Sequence, residues 1–443
     1  MKKILRKTIL FLSSLFGGRY AGKMIGMFDF CRDVICSNQK VFAGQIHNRM
    51  DINNVIPSVE IKEKASHTIL PTDKIKVRIV YPAGDSWNNI HTLYESFAAD
   101  DRFQTYVVVK NEARFISIME SVGCHYVTYN NYSIKEDRPD IFISCFYAGL
   151  ERDIVFPGCR KYIGKVYLFI PSAVMNEETR DIHWDYIKRA NIYTEPDYII
   201  ADPLVYNSLE GYVEDSKRIV MGGCQFDEIF REVGKKHPVP ESWGKLKGKT
   251  TFLWATDHGI NESYPKNGFT VDLYLQPMLK FFAEHLEYGL IFRPHPQLIR
   301  EMWNSRKFWT ADDVNKLKLY IESTPNIIWD DTFDFCCAYD VCSGLIVDAN
   351  CSITLSFLTT GKPICRLLRY DMKEWLVSPE LHDCYYYANN FEECKNFMDM
   401  VASGEDSKKE AREKGFKYAI LNFDGLNGRR MKDFIASDYL KAY

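Results

Sequence analysis

The sequence predicts an α/β protein of two doubly wound Rossmann-type domains preceded by an amphipathic helix. Three observations carry that prediction. A β-α-β unit opens at Ile75, and a Lys-rich stretch with Pro238, Pro240, Gly244 and Gly248 breaks the pattern at 235–249. The strand-loop-helix rhythm then starts afresh at Thr250. A chain of 443 residues is long for one core and natural for two. The expected division is a leading helix and lead-in at 1–72, a first domain at 73–234, a linker at 235–249 and a second domain at 250–443 with closing helices.

At the start, Lys2, Lys3, Arg6 and Lys7 alternate with Ile4, Leu5, Ile9, Leu10, Phe11, Leu12, Leu15 and Phe16, and Gly17-Gly18 ends the run. The apolar run is short and no small-x-small cleavage pattern follows it, which argues against a signal peptide. A basic amphipathic helix of this kind lies on a membrane surface, its apolar residues at the acyl boundary and its lysines facing anionic lipid. The expected location is therefore cytoplasmic, on the inner face of the cell membrane. No apolar run reaches the roughly 18 residues of a membrane span. Residues 28–72 are polar and irregular and read as a lead-in.

Ile75 to Tyr81 alternates into a strand, 82–85 is a loop, and Ser86 to Asp100 is helical with Trp87, Ile90, Leu93, Tyr94 and Phe97 on one face. Strands are expected at 106–110, 141–146, 165–170, 198–201 and 218–223, with helices at 113–122 and 203–212. Asp85 on the first loop, His91 on the first helix and His183 beyond the Pro171 loop are the titratable residues placed to serve as a base.

In the second half, 250–255 is a strand closed by Thr256-Asp257-His258-Gly259, and 261–268 is a loop. Helices follow at 273–285 and 311–320. Tyr288 to Phe292 is a strand ending in Arg293-Pro294-His295-Pro296, where two prolines forbid a helix and project a guanidinium and an imidazole from the strand end. Arginine offers a planar fork suited to phosphate, and histidine a further hydrogen bond or a proton. Asp330-Asp331 begins a turn after another strand.

A short apolar run to Val347 then meets Asp348-Ala349-Asn350-Cys351-Ser352, a polar cluster of the kind that caps a helix. The helix carries Ile353, Leu355, Phe357 and Leu358 on its apolar face, and Thr360-Gly361-Lys362-Pro363 stops it. Unpartnered first-turn amides with the hydroxyls of Ser352 and Thr354 make an anion site, with phosphate the obvious guest. A strand at 364–368, an acidic and aromatic segment in which Tyr370 or Tyr385 could stack on a base, and helices at 391–402 and 407–419 complete the chain.

Composition excludes several classes. A net charge of −3 and the absence of a recognition motif give no reason to expect nucleic acid as a partner. Thirteen cysteines occur without a CxxC pair, so they read as reduced thiols rather than a zinc site or disulfide framework. No Asp-x-Asp lies near the anion site to hold a metal, so none is expected.

Phe292-Arg-Pro-His-Pro296, Leu345-Ile-Val-Asp-Ala-Asn-Cys-Ser352 and Thr360-Gly-Lys-Pro363 resemble the C-terminal half of the CDP-glycerol glycerophosphotransferase family, over roughly 249–368. Those enzymes build teichoic-acid-like and capsular polymers on a GT-B fold, two Rossmann-type domains facing a cleft. The resemblance implies a CDP-activated donor or a nucleotide sugar as substrate, no separate cofactor, and a lipid-linked or glycan acceptor. It implies a donor site in the second domain at His258, Arg293, His295, Asp348, Asn350, Ser352 and Thr354. Gly222-Gly-Cys-Gln-Phe-Asp227 resembles the Gly-x-Pro-x-x-Asp turn between GT-B domains, with Cys224 in place of Pro. The teichoic-acid members also carry Trp-His-Gly-Thr-Pro, whose His is the base. Here the matching strand end reads Phe169-Ile-Pro-Ser-Ala173, so the catalytic set becomes His295 with Asp85 or His183.

Overall fold

The structure is a computed structural model that describes residues 74–81, 87–145, 159–170, 196–257, 270–295, 298, 311–332, 335–348, 351, 353–369 and 379–442. Two all-parallel sheets organise them. The first contains β1 (Ile75–Tyr81), β2 (Phe103–Val109), β3 (Tyr126–Thr128), β4 (Ile141–Cys145), β5 (Lys165–Ile170), β6 (Tyr198–Ala201) and β7 (Arg218–Val220), in the order β3-β2-β1-β4-β5-β6-β7. The second contains β8 (Thr250–Ala255), β9 (Tyr288–Arg293), β10 (Ile327–Trp329), β11 (Gly344–Asp348), β12 (Ile364–Leu367) and β13 (Tyr386–Ala388), in the order β10-β9-β8-β11-β12-β13.

Alternation along each strand explains why both faces are covered. In β1, Val77, Ile79 and Tyr81 enter one core with Leu93 and Phe97 of the His91–Ala98 helix, while Val80 enters another with Phe142 and Val166. In the second sheet Phe252, Trp254, Leu290, Phe292 and Ile346 pack under the Val271–Glu284 helix. Leu253, Ala255, Ile291, Leu345 and Val347 face the other side with Leu355 and Phe357.

Two helices join the halves. Cys224–Glu232, expected as a turn, is a helix whose Cys224 lies in the first core and whose Phe226 and Ile229 lie in the second. The last helix, Asn427–Ala442, returns to the first sheet and buries Met431, Ile435 and Tyr439 there. Asp227, fully buried, fastens both. It accepts hydrogen bonds from the Thr92 hydroxyl (2.9 Å), the Asn427 amide (2.9 Å) and the Gly428 amide (2.8 Å). Gly222 and Gly428 permit this closeness, since a Cβ at either would fall within 2.4 Å of a neighbour. Within 235–249, Trp243 and Leu246 are buried in the second core, so the expected linker is packed at its end.

Among the described residues no helix is long and apolar enough to cross a membrane. The basic stretch 1–18 lies outside the described residues.

Candidate functional site

In the second sheet the chain runs from β8 outward to β9 and β10, and β11 then pairs on the opposite edge of β8. Order reverses between β8 and β11, and a crevice opens beyond their carboxyl ends at such a switch point. The pairing of Val347 with Ala255 sets Asp348 level with Thr256. Arg293 and His295 emerge beside them from β9, which pairs with β8 up to Ala255 and Arg293. The three stretches singled out in the sequence thus meet at one place. The first sheet reverses between β1 and β4, and Asp85 follows β1 there, outside the described residues.

His295 is half-buried, and its backbone amide donates to the Thr256 hydroxyl at 3.2 Å, tying the two strand ends together. Arg293 differs from expectation. Its Nη1 donates to Asp330 Oδ2 at 2.5 Å and its Nη2 to the Thr332 carbonyl at 2.9 Å, so the fork faces the end of β10. The cause is Asp330, wholly buried and in need of a cation.

Asp348 also points inward. Strand alternation puts it on the face of Ile346, towards the Val271–Glu284 helix. There Oδ2 accepts the amides of Asp257 (2.8 Å) and Thr270 (3.4 Å), and Oδ1 meets the Thr270 hydroxyl. Burial pushes its pKa up to about 8, against the pull of these hydrogen bonds and with help from the nearby Asp257 charge. Thr354 is fully buried and donates to the Cys351 carbonyl at 2.5 Å, which shapes the turn into the Ile353–Leu358 helix. Burial raises the Cys351 thiol well above the ordinary range. His258, Asn350, Ser352 and His183, like Asp85, lie outside the described residues.

The closing Thr-Gly-Lys-Pro has a structural explanation. Gly361 takes φ +68° just past the helix, and Lys362 Nζ donates to the carbonyls of Tyr339 (2.6 Å), Asp340 (3.2 Å) and Cys342 (2.7 Å). Tyr385 is wholly buried beside Arg366, so it is a core ring and not a platform for a base. His91 sits between Glu95 (3.3 Å) and Glu228 (3.0 Å), bracing two helices. Among the described residues no group of three or more His, Cys, Asp or Glu is placed to hold a metal. The sequence shows Asp257 and Asp330 only as strand-end and turn residues and gives no sign of Thr270, because their partners Asp348 and Arg293 reach them through the sheet.

No protein-family model and no curated protein matches the chain. Solved structures do. The S. aureus MnaA structure with UDP is 12% identical at a TM-score of 0.58, covering 83% of this chain and 97% of that one. The Methanocaldococcus jannaschii UDP-GlcNAc 2-epimerase in complex with UDP-GlcNAc and UDP is 13% identical at 0.55, covering 82% and 99%. The wall teichoic acid polymerase TagF is 12% identical at 0.53, covering 83% and 90%. The two parallel-sheet Rossmann-like domains are those of a GT-B fold.

Proposed function

We propose that the chain is a GT-B transferase that moves glycerol phosphate, or a related group, from a CDP-activated donor to a cell-surface glycan or teichoic-acid-like acceptor. The observation that carries this reading is the meeting of Thr256-Asp257, Arg293 to His295, and Asp348 with Cys351 and Thr354 at the β8/β11 switch point. The fold shared with TagF supports it. In this reading His258, His295, Asn350 and Ser352 hold the donor's diphosphate, and Arg293 adds its charge from the β10 side. Thr354 and Asp348 support the site from beneath.

The acceptor hydroxyl attacks the glycerol-bearing phosphorus, the phosphoanhydride bond breaks, and CMP departs with the electron pair. His295 stabilises the charge gathering on that leaving group, and Asp85 or His183 takes the hydroxyl proton. No divalent ion is required, and turnover should survive excess EDTA.

A second reading, a glycosyltransferase using a nucleotide sugar, draws support from neighbours solved with UDP and UDP-GlcNAc. Nucleotide release from a panel of CDP-glycerol and UDP-sugars, with and without glycan acceptor, tests both. Acceptor-dependent CMP release supports the first and UDP release the second. Conversion of UDP-GlcNAc without acceptor would mean an epimerase, and no turnover of any donor would mean a binding subunit that has lost catalysis.

We further place the protein on the inner membrane face through residues 1–18. Deletion of that stretch should release it from anionic liposomes at unchanged melting temperature; equal binding of the truncated chain contradicts the anchor.

A further inference from the structure

Asp348 occupies the switch point as an internal anion. Its carboxyl is 0% exposed and gathers the end of β8, through the Asp257 amide, and the start of the Val271–Glu284 helix, through the amide and hydroxyl of Thr270. These backbone donors are of the kind that bind a phosphate at a helix start. Here a side chain of the protein uses them.

The titratable groups facing it are Asp257 from β8, Tyr274 from the helix and Cys351 from the turn after β11. Burial raises the last two beyond the range in which Asp348 titrates. Among the described residues no cation pairs with Asp348. An ionised Asp348 therefore sets its own carboxylate against any phosphate brought to the crevice.

We propose that Asp348 is a positioning residue of the donor site and that binding of a nucleoside diphosphate at the β8/β11 switch point is coupled to its protonation. The inference rests on the donor-site reading above. A diphosphate near the carboxyl favours the neutral acid, and by reciprocity the neutral acid favours the diphosphate. The hydrogen-bond geometry accommodates both forms. When neutral, Oδ1 carries the proton and donates to the Thr270 hydroxyl, while Oδ2 still accepts the amides of Asp257 and Thr270. Burial, which holds the group up at about 8, keeps the neutral form dominant at pH 7.

Calorimetric titration of CDP and of UDP into the full chain, at pH 7 and pH 9 and in buffers of unlike ionisation enthalpy, tests the coupling. The wild-type affinity should fall about tenfold between these pH values, with uptake of close to one proton at pH 9. In Asp348→Asn, whose amide presents the same donor and acceptor pattern as the neutral acid, the ratio of the two affinities should collapse towards one. Thr270→Val, which removes a hydrogen bond that favours the carboxylate, should move the fall to higher pH. Wild-type binding that is independent of pH and takes up no proton overturns the proposal, as does an undiminished pH dependence in Asp348→Asn or an unmoved one in Thr270→Val. Failure of both nucleotides to bind at either pH overturns the donor-site reading itself, and this inference with it.

Discussion

Arg293 and Asp330 form an ion pair across the β9/β10 edge, with Nη1 2.5 Å from Oδ2 and the carboxylate wholly buried. Each side chain answers for the other. Asp330 also accepts the amide and hydroxyl of Thr332, so the pair fixes the turn after β10.

Removing Arg293 leaves a buried carboxylate with its Thr332 hydrogen bonds but without its cation. Arg293→Ala, which strips the buried Asp330 carboxylate of its cation, should cost about 3 kcal/mol of stability in urea unfolding. Arg293→Lys should recover part of it, since an ammonium cannot span both Asp330 and the Thr332 carbonyl. Equal stability of all three proteins would show that the pair is not structural.

Asp227 links the two halves at a single carboxylate. Asp227→Ala strands the Thr92 hydroxyl and the amides of Asn427 and Gly428, at a cost of about 2 kcal/mol. Hydrogen exchange should quicken first in 427–442, where the last helix loses its cap. Uniform change along the chain would contradict the assigned role.

Much of this is legible in the sequence because short-range pattern decides it. Residues 250–255 form β8 with the bounds their alternation predicts, and helix 391–402 likewise. The closing helix escapes because Met431, Ile435 and Tyr439, though spaced four apart, are interleaved with charged residues. The helix 224–232 is hidden behind Gly222-Gly223, which mimics a turn. Of the site, the sequence makes the strand ends legible but not the direction of their side chains. Arg293 finds Asp330, 37 positions away, only through strand pairing.

Stability should carry the signature of Asp348. Its pKa is raised in the folded chain, so its contribution is complete below the unfolded carboxylate value of about 4 and drains away as pH rises to about 8. The Asp348→Asn protein lacks that loss. Relative to wild type it should gain stability steadily from pH 5 to pH 8, by at most about 1.4 kcal/mol per pH unit. Parallel stability curves over that range would show that Asp348 is not a buried acid of raised pKa.

His295 separates chemistry from architecture. If the ring serves the donor and the backbone tie to Thr256 serves the fold, His295→Ala should preserve the melting temperature. Loss of a hydrogen bond that strengthens on the leaving group should lower kcat on the order of a hundredfold. A lower melting temperature with full activity would make the residue structural.

If the second sheet's switch point receives the donor nucleotide, the strand ends that meet there should be shielded when it binds. Hydrogen exchange over the whole chain, with and without saturating CDP or UDP, reads this directly, whatever head group the donor carries. Protection should concentrate in 250–257, 288–295 and 344–358. Protection confined to 74–220, or none in those three stretches, would contradict a donor site at the switch point.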